Sequence, residues 1–449
     1  MMSENILSLF QDFLPAKVLK NENPAEYFNV DGIIPHLIVT PENIEQISTV
    51  LRIATKNNLS VVPWGGGTKI NIGNYPTKLD IVLCMSEMDK IIEMHPADMT
   101  VRVQAGTKME SIKRSLIKEG QLLPLTSPLE SRATIGGTVS ANVSGYHNLI
   151  YGTSRDLVIG TKFVQANGTV AKSGGNVVKN VTGYDLNKLF IGAIGTLGIL
   201  AEISLKVIPL PRQMQTFLCF FSSISQALEA DTQIKQLGLS PTTSFILDTN
   251  SASHVDGYKD LFQSSTVLAT ELYSGSSGMQ KRENEMVRIC HAETNSSCQV
   301  VDSQSAQSLW GQLSNFGHIN HDDSALLILR CGLRPSRLKQ AYDSILAELS
   351  DVNLPISAIL QQSLGLIRFY VWSGGPIPTP KSLSSLITRI RLVMSELEGY
   401  TVVEQCPVET KYHCDVWGNP GNSLNLMKQV KAQFDPSSIL SPGRFIGRI

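Results

Sequence analysis

The sequence predicts an α+β protein built from at least two parts. Up to about residue 211, short strands alternate with helices and glycine-rich loops. From residue 212 to 405 glycine thins out, the helices lengthen, and the elements follow the order β-α-β-β-α-β twice. That order is typical of the ferredoxin-like arrangement. With 449 residues, the chain also exceeds what one hydrophobic core usually organises, so two or three domains are expected.

Composition narrows the class of protein. Hydrophobic residues make up 42% of the chain, charged residues 17%, and the net charge is −1, as in an ordinary globular protein. No basic run is present, which argues against binding to nucleic acid. The N-terminus lacks a signal-peptide pattern, and the most apolar segment, 189–201, is too short to span a bilayer. We expect a cytoplasmic protein without a transmembrane segment, and leave open peripheral attachment at the inner membrane through a complex.

The cysteines bear on the redox compartment. All seven are scattered along the sequence, and none forms a C-x-x-C pattern. This distribution predicts reduced thiols rather than a disulfide framework, and no iron–sulfur cluster on this chain.

The first part begins with a strand, a helix and a strand in residues 36–62. Thr40 is the expected N-cap with Pro41 at the first helical position, and apolar residues then recur at helical spacing. The next strand runs directly into Gly65-Gly66-Gly67-Thr68. Successive N–H groups of such a loop can point into one concavity, so this loop predicts an anion nest suited to a pyrophosphate.

The rest of the first part continues the alternation. Strands are predicted at 80–84, 100–104, 157–165 and 170–173, and a helix at 107–119. Two further glycine-bearing stretches lie at 126–158 and 174–206. The glycines of 174–206 have two interpretations. Their backbone lies against a large polar ligand, or they form a series of tight turns between strands.

The second part is predicted in more detail. The strands are expected at 215–221, 243–249, 266–274, 298–302, 324–332, 355–361, 365–373 and 400–405. The helices are expected at 223–238, 277–290, 303–317, 335–350 and 381–398, with one more at 422–434 in the tail.

Several common motifs are missing. Gly192, Gly195 and Gly198 have the wrong spacing for a nicotinamide-binding G-x-G-x-x-G, and no phosphate-loop lysine or G-x-S-x-G sequence occurs. The glycine loops therefore predict a bulky phosphorylated ligand bound in another manner. His318 and His321 are the one pair with metal-ligand spacing, but short polar runs of this kind are usually solvated loops, so no metal site is predicted.

Two arginines stand inside predicted strands of the second part. Arg330 lies in LLILRCGL and Arg368 in LGLIRFYVW. A buried guanidinium must be paired, so three hypotheses are open. The arginines clamp a substrate carboxylate, they bind an internal carboxylate such as Glu271, Glu404 or Glu409, or they are simply exposed on the outer face of the sheet.

Taken together, four segments resemble the FAD-binding domain of the vanillyl-alcohol-oxidase/PCMH flavoprotein superfamily. They are VVPWGGGT (61–68), PLESRATIGGTVSANVSG (128–145), YGTSRDLV (151–158) and GAIGTLGILAEISLKV (192–207). The resemblance implies a PCMH-type FAD domain of two α/β subdomains over 1–211. It also implies a cap of antiparallel sheet with helices over 212–405, and a segment at 406–449 that packs back on the FAD domain.

The same resemblance assigns the cofactor-binding residues. The implied set is Pro63, Gly65, Gly66, Gly67, Thr68, Ser127, Pro128, Gly136, Gly137, Ser140, Ala141, Asn142, Gly145, Gly195, Thr196, Leu197, Gly198, Ile199 and Glu202. Because the first glycine loop contains no histidine, the FAD is expected to be non-covalent.

Within that superfamily, three segments are similar to the glycolate oxidase/D-2-hydroxy-acid dehydrogenase branch, and most to its smaller E-type subunit. They are GGNVVKNVTGYDLNKL (174–189), DVWG (415–418) and FDPSSILSPGRF (434–445). The resemblance implies a small 2-hydroxy acid as substrate and two partner subunits, a D-type catalytic flavoprotein and an iron–sulfur F-type chain.

One departure from the branch concerns the catalytic base. Catalytic members carry an H-x-x-G-D-G-N-x-H type motif late in the cap, whereas this chain reads VETKYHCDVWGNPGN with His413 alone. Two further hypotheses therefore stay open. The chain is a self-sufficient FAD-dependent D-2-hydroxy-acid dehydrogenase with His413 or a tyrosine as base, or it is a flavin-binding scaffold without chemistry of its own.

Overall fold

The computed structural model describes residues 2–20, 27–143, 145–175, 183–258, 265–274, 278–291, 296–318 and 324–449. Contacts divide the chain into two compact units. The first unit comprises residues 1–144, 152–210 and 415–449, and the second comprises residues 145–151 and 211–414. Residues 176–182 of the GGNVVKNVTGYDLNKL segment and His321 of the histidine pair lie outside the described residues.

Residues up to 210 form short elements. The helices are α1 (Met2–Gln11), α2 (Ile44–Lys56), α3 (Met109–Lys118), α4 (Ile135–Ser140), α5 (Asn148–Tyr151), α6 (Ser154–Leu157) and α7 (Asn187–Phe190). The strands are β1 (Leu19–Lys20), β2 (Leu37–Val39), β3 (Val61–Trp64), β4 (Ile81–Cys84), β5 (Ile91–His95), β6 (Thr100–Gln104), β7 (Gln121–Leu122), β8 (Val158–Val164), β9 (Val170–Gly174), β10 (Ile199–Lys206) and β11 (Ile208–Pro209).

Besides the short antiparallel pair of β7 and β11, two sheets organise the described part of the first unit. The smaller has the order β1-β2-β4-β3, and β4 pairs in parallel with both β2 and β3. Strands β2 and β4 are continuous apolar runs that are buried throughout, as parallel strands usually are. The larger sheet is antiparallel with the order β5-β6-β10-β8-β9. The expected pair of α/β subdomains is thus present.

The predicted start of α2 is wrong. The N-cap is Asn43, whose side chain accepts a hydrogen bond of 2.9 Å from the N–H of Gln46. Thr40 instead donates its N–H to the carbonyl of Val18 at 2.8 Å, so it continues the pairing of the first two strands. Since Asn and Thr are both good N-caps, the sequence alone could not choose between them.

The second unit contains one large sheet with its helices. The strands are β12 (Gln213–Phe221), β13 (Thr243–Leu247), β14 (Thr266–Ser274), β15 (Ser297–Val301), β16 (Ala325–Gly332), β17 (Ile356–Gln361), β18 (Leu366–Trp372) and β19 (Tyr400–Gln405). The helices are α8 (Ile224–Gln236), α9 (Thr249–Ala252), α10 (Met279–His291), α11 (Ser303–Ser314), α12 (Leu338–Ser350), α13 (Pro380–Glu396) and α14 (Val408–Lys411), and α15 (Leu424–Phe434) follows in the first unit.

The two predicted ferredoxin-like halves are confirmed. The sheet has the order β15-β12-β14-β13-β17-β18-β16-β19 with every pair antiparallel. In each half the four strands therefore stand in the spatial order 4-1-3-2 expected of this arrangement. The halves join through β13 and β17, the second strand of each, where Leu247 lies opposite Ile359.

The two faces of this sheet are covered differently. On one face, Phe369 of β18 stacks on Tyr342 of α12 with ring centroids 6.1 Å apart. On the other face, Trp310 of α11 donates its indole N–H to Thr216 of β12 at 2.9 Å. Side chains alternate between faces along each strand, so the pairing registers decide which polar residues share the α11 face.

The structure corrects the expectation of reduced thiols throughout. Cys219 of β12 and Cys290 of α10, 71 residues apart, form a disulfide. Their spacing carried no signal because it is the packing of the helix on the sheet that brings the two sulfurs together. Within the described ranges, no helix is both long and apolar enough to cross a membrane.

Candidate active site

A cleft in the first unit brings most of the predicted cofactor-binding residues together. The empty space in this cleft, counted out to the open solvent, is about 760 Å³. The predicted residues that line it are Pro63, Gly65, Gly66, Gly67, Thr68, Gly136, Gly137, Ser140, Ala141, Gly195, Gly198 and Ile199. Three separate loops of the sequence thus become walls of one cavity.

Other predicted residues lie outside the lining of this cleft. They are Ser127, Pro128, Asn142, Gly145, Thr196, Leu197 and Glu202. Glu202 is held by ion pairs with Arg102 at 3.4 Å and Lys162 at 3.3 Å. Gly145 belongs to the second unit.

The first wall requires glycine for steric reasons. A Cβ atom on Gly66 would overlap the carbonyl oxygen of Arg132, which belongs to the loop before α4. Gly67 has φ +71°, a conformation that residues with side chains rarely adopt. The surface offered to a ligand here is consequently backbone.

The third wall contains an unusual backbone. Ile194 has φ +43° and is followed by Gly195 with φ +75°. A β-branched residue at positive φ is strained and persists only where its surroundings enforce it. Here the N–H of Ile194 donates to the carbonyl of Ser140 at 2.9 Å, which ties the third wall to the second.

Arg444 lines the cleft and was missed as a site residue. It is 3% exposed, and its guanidinium donates to the carbonyls of Ile70 and of Ile72, the latter at 2.7 Å. Burial lowers the pKa of Arg444, and the charge of Asp31 opposes that effect. The sequence signal was the SPGRF segment, which marked the branch but was not given a binding role.

Lys431 fastens the tail to the third wall. Its buried ammonium group bonds to the carbonyl of Thr196 at 2.8 Å, to the carbonyl of Leu440 at 2.8 Å and to the carboxylate of Asp435 at 2.6 Å. Burial lowers the pKa of Lys431, and its ion pair with Asp435 opposes that shift. The Thr196 loop, and with it the Gly195 wall, is therefore positioned by residues more than two hundred places further along the chain.

In the second unit, the two predicted arginines share one carboxylate. The guanidinium Nε atoms of Arg330 and Arg368 lie 2.8 and 3.1 Å from the two oxygens of Glu404. This is one of the internal pairs weighed above. Both arginine side chains are about one-third exposed, at 28% and 32%. Two cations with one anion leave a formal charge of +1, so the arrangement can still attract a carboxylate.

A buried cluster of His147, Glu271 and Tyr273 was also missed. Nε2 of His147 lies 2.8 Å from the Tyr273 hydroxyl and 3.3 Å from a carboxylate oxygen of Glu271. Tyr151 approaches the same imidazole, with ring centroids 6.5 Å apart. The only sequence hint was that His147 lies in YHNLIY, together with two tyrosines and one asparagine.

The pairing registers place this cluster and the arginines on one face of the sheet. Glu271 lies opposite both Thr216 and Thr243. On β13 the same face carries Leu247, which lies opposite Ile359 of β17. Ile359 lies opposite Arg368 of β18, and Arg368 lies opposite Arg330 of β16. The α11 face of the second unit therefore carries both polar groups.

The cluster can move a proton. Burial and the neighbouring Glu271 carboxylate raise the pKa of Tyr273 well above its ordinary value, so the phenol stays protonated. Burial also raises the pKa of Tyr151. The imidazole Nδ1 of His147 has no hydrogen-bond partner among the described residues. An imidazole between a phenol and a carboxylate is an arrangement that accepts a proton and stabilises the resulting charge.

Comparison with known proteins assigns both units. Residues 35–174 match the family described as FAD binding domain, and residues 210–370 and 418–445 match the C-terminal domain of FAD linked oxidases. The chain is an FAD-dependent oxidoreductase that combines these two domains. The cleft fits FAD, because its walls are glycine backbone where a Cβ would intrude and its lining includes the buried cation of Arg444.

Two curated relatives match over most of their length, and a third matches over about half. The glycolate oxidase subunit GlcD of Bacillus subtilis (strain 168) is 27% identical over 427 residues, which cover 92% of this chain and 90% of that protein. The mitochondrial D-2-hydroxyglutarate dehydrogenase of Rattus norvegicus is 26% identical, covering 98% and 84%. A D-lactate dehydrogenase of Anaerostipes hadrus is 28% identical over 54% of this chain and 52% of its own length.

Solved structures share the fold. A p-cresol methylhydroxylase with bound substrate superposes with a TM-score of 0.79 at 17% identity, covering 99% of this chain and 97% of that chain. An alkyldihydroxyacetonephosphate synthase gives a TM-score of 0.75 at 16% identity, covering 98% and 86%. At these identities the similarity establishes the PCMH-type fold and no more.

Proposed function

We propose that this FAD-dependent oxidoreductase is the E-type, smaller flavin-binding subunit of a complex that oxidises glycolate, or a related 2-hydroxy acid, to the 2-oxo acid. The observation that carries the proposal is the glycine-walled cleft in a chain that aligns over 92% of its length with a glycolate oxidase subunit. Relatives named for D-2-hydroxyglutarate and D-lactate act on the same substrate class, a hydroxyl beside a carboxylate.

The proposed reaction asks two things of the protein besides the flavin, which would accept the hydride from Cα when bound. The substrate carboxylate must be held, and the hydroxyl proton must be accepted. Arg330 and Arg368 with Glu404 carry a net positive charge suited to the first task. Nδ1 of His147, whose other ring nitrogen lies beside Glu271, is suited to the second. The pairing registers separate Glu271 from Arg368 by three strand spacings and four residues of strand, roughly 19 Å by standard strand geometry, so one small 2-hydroxy acid contacts one group or the other and the two assignments are alternatives.

The proposed E-type role depends on the absence of a histidine-rich motif from the late part of the cap. Residues 408–422 contain His413 as their single histidine, and its side chain is exposed. The H-x-x-G-D-G-N-x-H type motif of catalytic members is therefore missing. We propose that a D-type catalytic flavoprotein supplies turnover, and that an F-type chain with iron–sulfur clusters passes the electrons on.

A second candidate function is independent 2-hydroxy-acid dehydrogenation by this chain alone. The buried cluster of His147, Glu271 and Tyr273 favours it, because the cluster offers a proton acceptor that the missing motif would otherwise provide. A third candidate, a flavin-binding scaffold without chemistry, uses the cleft but gives the cluster no role.

One experiment separates the three candidates. The full chain is purified alone and its flavin spectrum is recorded; glycolate, D-lactate or D-2-hydroxyglutarate is then added without oxygen. The measurement is repeated after co-expression with D-type and F-type chains. For the E-type proposal we expect bound flavin, no bleaching of the isolated chain, and faster turnover when this chain is present in the complex.

The other outcomes are decisive too. Bleaching of the isolated chain would establish independent dehydrogenation and remove the scaffold hypothesis. A complex whose turnover is unchanged when the flavin cleft is blocked would favour the scaffold. A colourless protein that takes up no FAD would overturn all three.

A further inference from the structure

Three cysteine sulfurs meet on the face of the large sheet that points away from α11. Cys219, Cys290 and Cys298 come from β12, α10 and β15, and their Sγ atoms all lie within 4.8 Å of one another. Cys219 is bonded to Cys290, and Sγ of Cys298 lies 3.4 Å from that of Cys219. In the part of the chain that the structure describes, this is the one group of histidine, cysteine or acidic side chains with metal-ligand proximity.

The convergence is built into the fold. Cys219 and Cys298 stand directly opposite each other on antiparallel strands, so their side chains project side by side from one face. Cys290 reaches the same point from α10, which packs against both strands. A structural disulfide needs two sulfurs, and the third has no role in it.

The spacing matches a thiolate metal site. A zinc–sulfur bond of about 2.3 Å places two sulfurs of a tetrahedral site about 3.8 Å apart. The separation of 3.4 Å between Cys219 and Cys298 lies close to that value, and all three sulfurs lie within 4.8 Å of one another. The bonded pair, Cys219 and Cys290, reaches it only after reduction breaks the disulfide. Clustered thiolates select zinc and monovalent copper over harder cations.

The three cysteines of this group differ in their exposure to solvent. Cys219 and Cys290 are fully buried, whereas Cys298 is partly exposed. An ion entering past Cys298 would find the other two sulfurs on its buried side. Three sulfur ligands would leave the fourth position of a tetrahedral site for another ligand.

We propose that reduction of the Cys219–Cys290 disulfide creates a site in which Cys219, Cys290 and Cys298 bind one thiophilic d¹⁰ cation, Zn²⁺ or Cu⁺. A dithiol reductant supplies two electrons and two protons to the disulfide and becomes a disulfide itself. Binding then releases the three thiol protons to solvent as the three sulfur–metal bonds form. The oxidised and metal-bound states exclude each other, because the disulfide sulfurs are no longer thiolates.

The test uses the full chain with its flavin. The protein is reduced with a dithiol, freed of reductant and metal without oxygen, and titrated with Co²⁺, whose thiolate charge-transfer absorption reports sulfur ligands. Zn²⁺ is then added to displace Co²⁺, and in a separate arm Cu⁺ is titrated against a chromogenic Cu⁺ chelator. We expect one equivalent per chain, and the two arms identify the preferred ion.

Two variants make the test specific. Cys298→Ser removes the third ligand and leaves the disulfide pair, and should weaken binding about 10-fold or more. Cys331→Ser is the matched control, because Cys331 is a buried free cysteine of the same sheet outside the cluster, and should bind as the unmodified chain does. Equal affinity in the unmodified chain and Cys298→Ser, or no binding by the reduced chain, would overturn the proposal.

A second measurement needs no variant. Bound Zn²⁺ should slow alkylation of Cys219, Cys290 and Cys298 together, as read by mass spectrometry, while Cys406 and Cys414 react at an unchanged rate. Oxidised protein should show no metal-dependent protection. Protection that spreads to Cys406 and Cys414 equally would show non-specific thiol binding and contradict the site.

Discussion

The hydroxyl of Tyr273 lies 2.8 Å from Nε2 of His147, although 126 residues separate them in the sequence. Glu271, two residues before Tyr273 on the same strand, approaches the same nitrogen at 3.3 Å. The imidazole is thus held between a phenol that stays protonated and a buried carboxylate. The other ring nitrogen, Nδ1, has no hydrogen-bond partner among the described residues, so it is the atom of this imidazole that can accept a proton.

If this imidazole accepts the hydroxyl proton of the substrate, His147→Gln should lower turnover roughly 10²- to 10⁴-fold, the usual contribution of a general base. The flavin-to-protein ratio should stay unchanged, and steady-state rates with a dye acceptor or in the complex provide the measurement. Tyr273→Phe should lower turnover less, since the imidazole remains. Tyr258→Phe serves as control, because Tyr258 donates to the carbonyl of Ser305 elsewhere in the same unit. Normal turnover in His147→Gln would contradict the role.

The arginine pair predicts an effect on substrate binding. Arg330→Lys and Arg368→Lys keep the charge but lose the planar fork that binds two carboxylate oxygens at once. We expect the KM for a 2-hydroxy acid to rise about 10-fold, about 1.4 kcal/mol, with little change in melting temperature. Arg334→Lys is the matched control, since Arg334 forms an exposed ion pair with Glu398. A changed melting temperature at constant KM would assign the pair to structure alone.

Gly66→Ala tests the first wall of the cleft. The new Cβ would overlap the carbonyl of Arg132, so the loop must shift away from the position that lines the cavity. We expect bound flavin to fall about 10-fold, measured as the ratio of flavin absorbance to protein. Gly311→Ala provides the control, because no described residue outside the backbone of α11 lies within 4 Å of its Cβ position and alanine favours a helix. Full flavin occupancy in Gly66→Ala would show that this loop does not contact the cofactor.

Lys431→Met tests the link between tail and third wall. The substitution leaves the buried carboxylate of Asp435 without its cation, so we expect a loss of roughly 3–5 kcal/mol in the free energy of unfolding. Lys339→Met removes an exposed pair with Asp343 and should change stability by less than about 0.5 kcal/mol. Chemical denaturation monitored by circular dichroism measures both. A loss in Lys431→Met no larger than in Lys339→Met would mean that the ammonium group contributes little.

Asp231 predicts a pH dependence of stability. Asp231 lies on α8, and its buried carboxyl accepts a hydrogen bond from the hydroxyl of Ser244 on β13. Burial raises the pKa of this carboxyl above the ordinary 3.8. The folded state therefore holds this proton more tightly than the unfolded state. The free energy of unfolding falls as pH rises through the window between the ordinary and the raised pKa.

Asp231→Asn removes that dependence. At pH 7 the variant should be more stable than the unmodified protein by roughly 1 kcal/mol, and the difference should shrink as pH falls towards 4. Melting temperatures across this pH range check the expectation. Asp343→Asn, at an exposed position, is the control, and its difference in stability from the unmodified protein should stay the same across this pH range. A variant that is less stable at pH 7 would show that hydrogen bonding by the charged carboxylate outweighs its burial.

Local patterns determined most of the architecture. The spacing of apolar residues located the eight strands of the second unit, and their order was enough to indicate two ferredoxin-like halves. The three glycine loops also marked the cleft, because a missing side chain is a property of the residue itself. Residues 63–68, four residues of the second loop (Gly136, Gly137, Ser140 and Ala141) and Gly195 line it together. It was the family resemblance that assigned these residues to one cofactor site.

The tertiary structure decided the contacts between residues that lie far apart in the sequence. The joining of the two halves at Leu247 and Ile359, the pairing of both arginines with Glu404, and the approach of His147 to Glu271 all cross long stretches of chain. Periodicity and composition are local, whereas these contacts depend on how whole elements pack. The sequence by itself therefore determined the fold class and the cofactor cleft, while packing alone decided where the proton acceptor, the arginine pair and the three sulfurs lie.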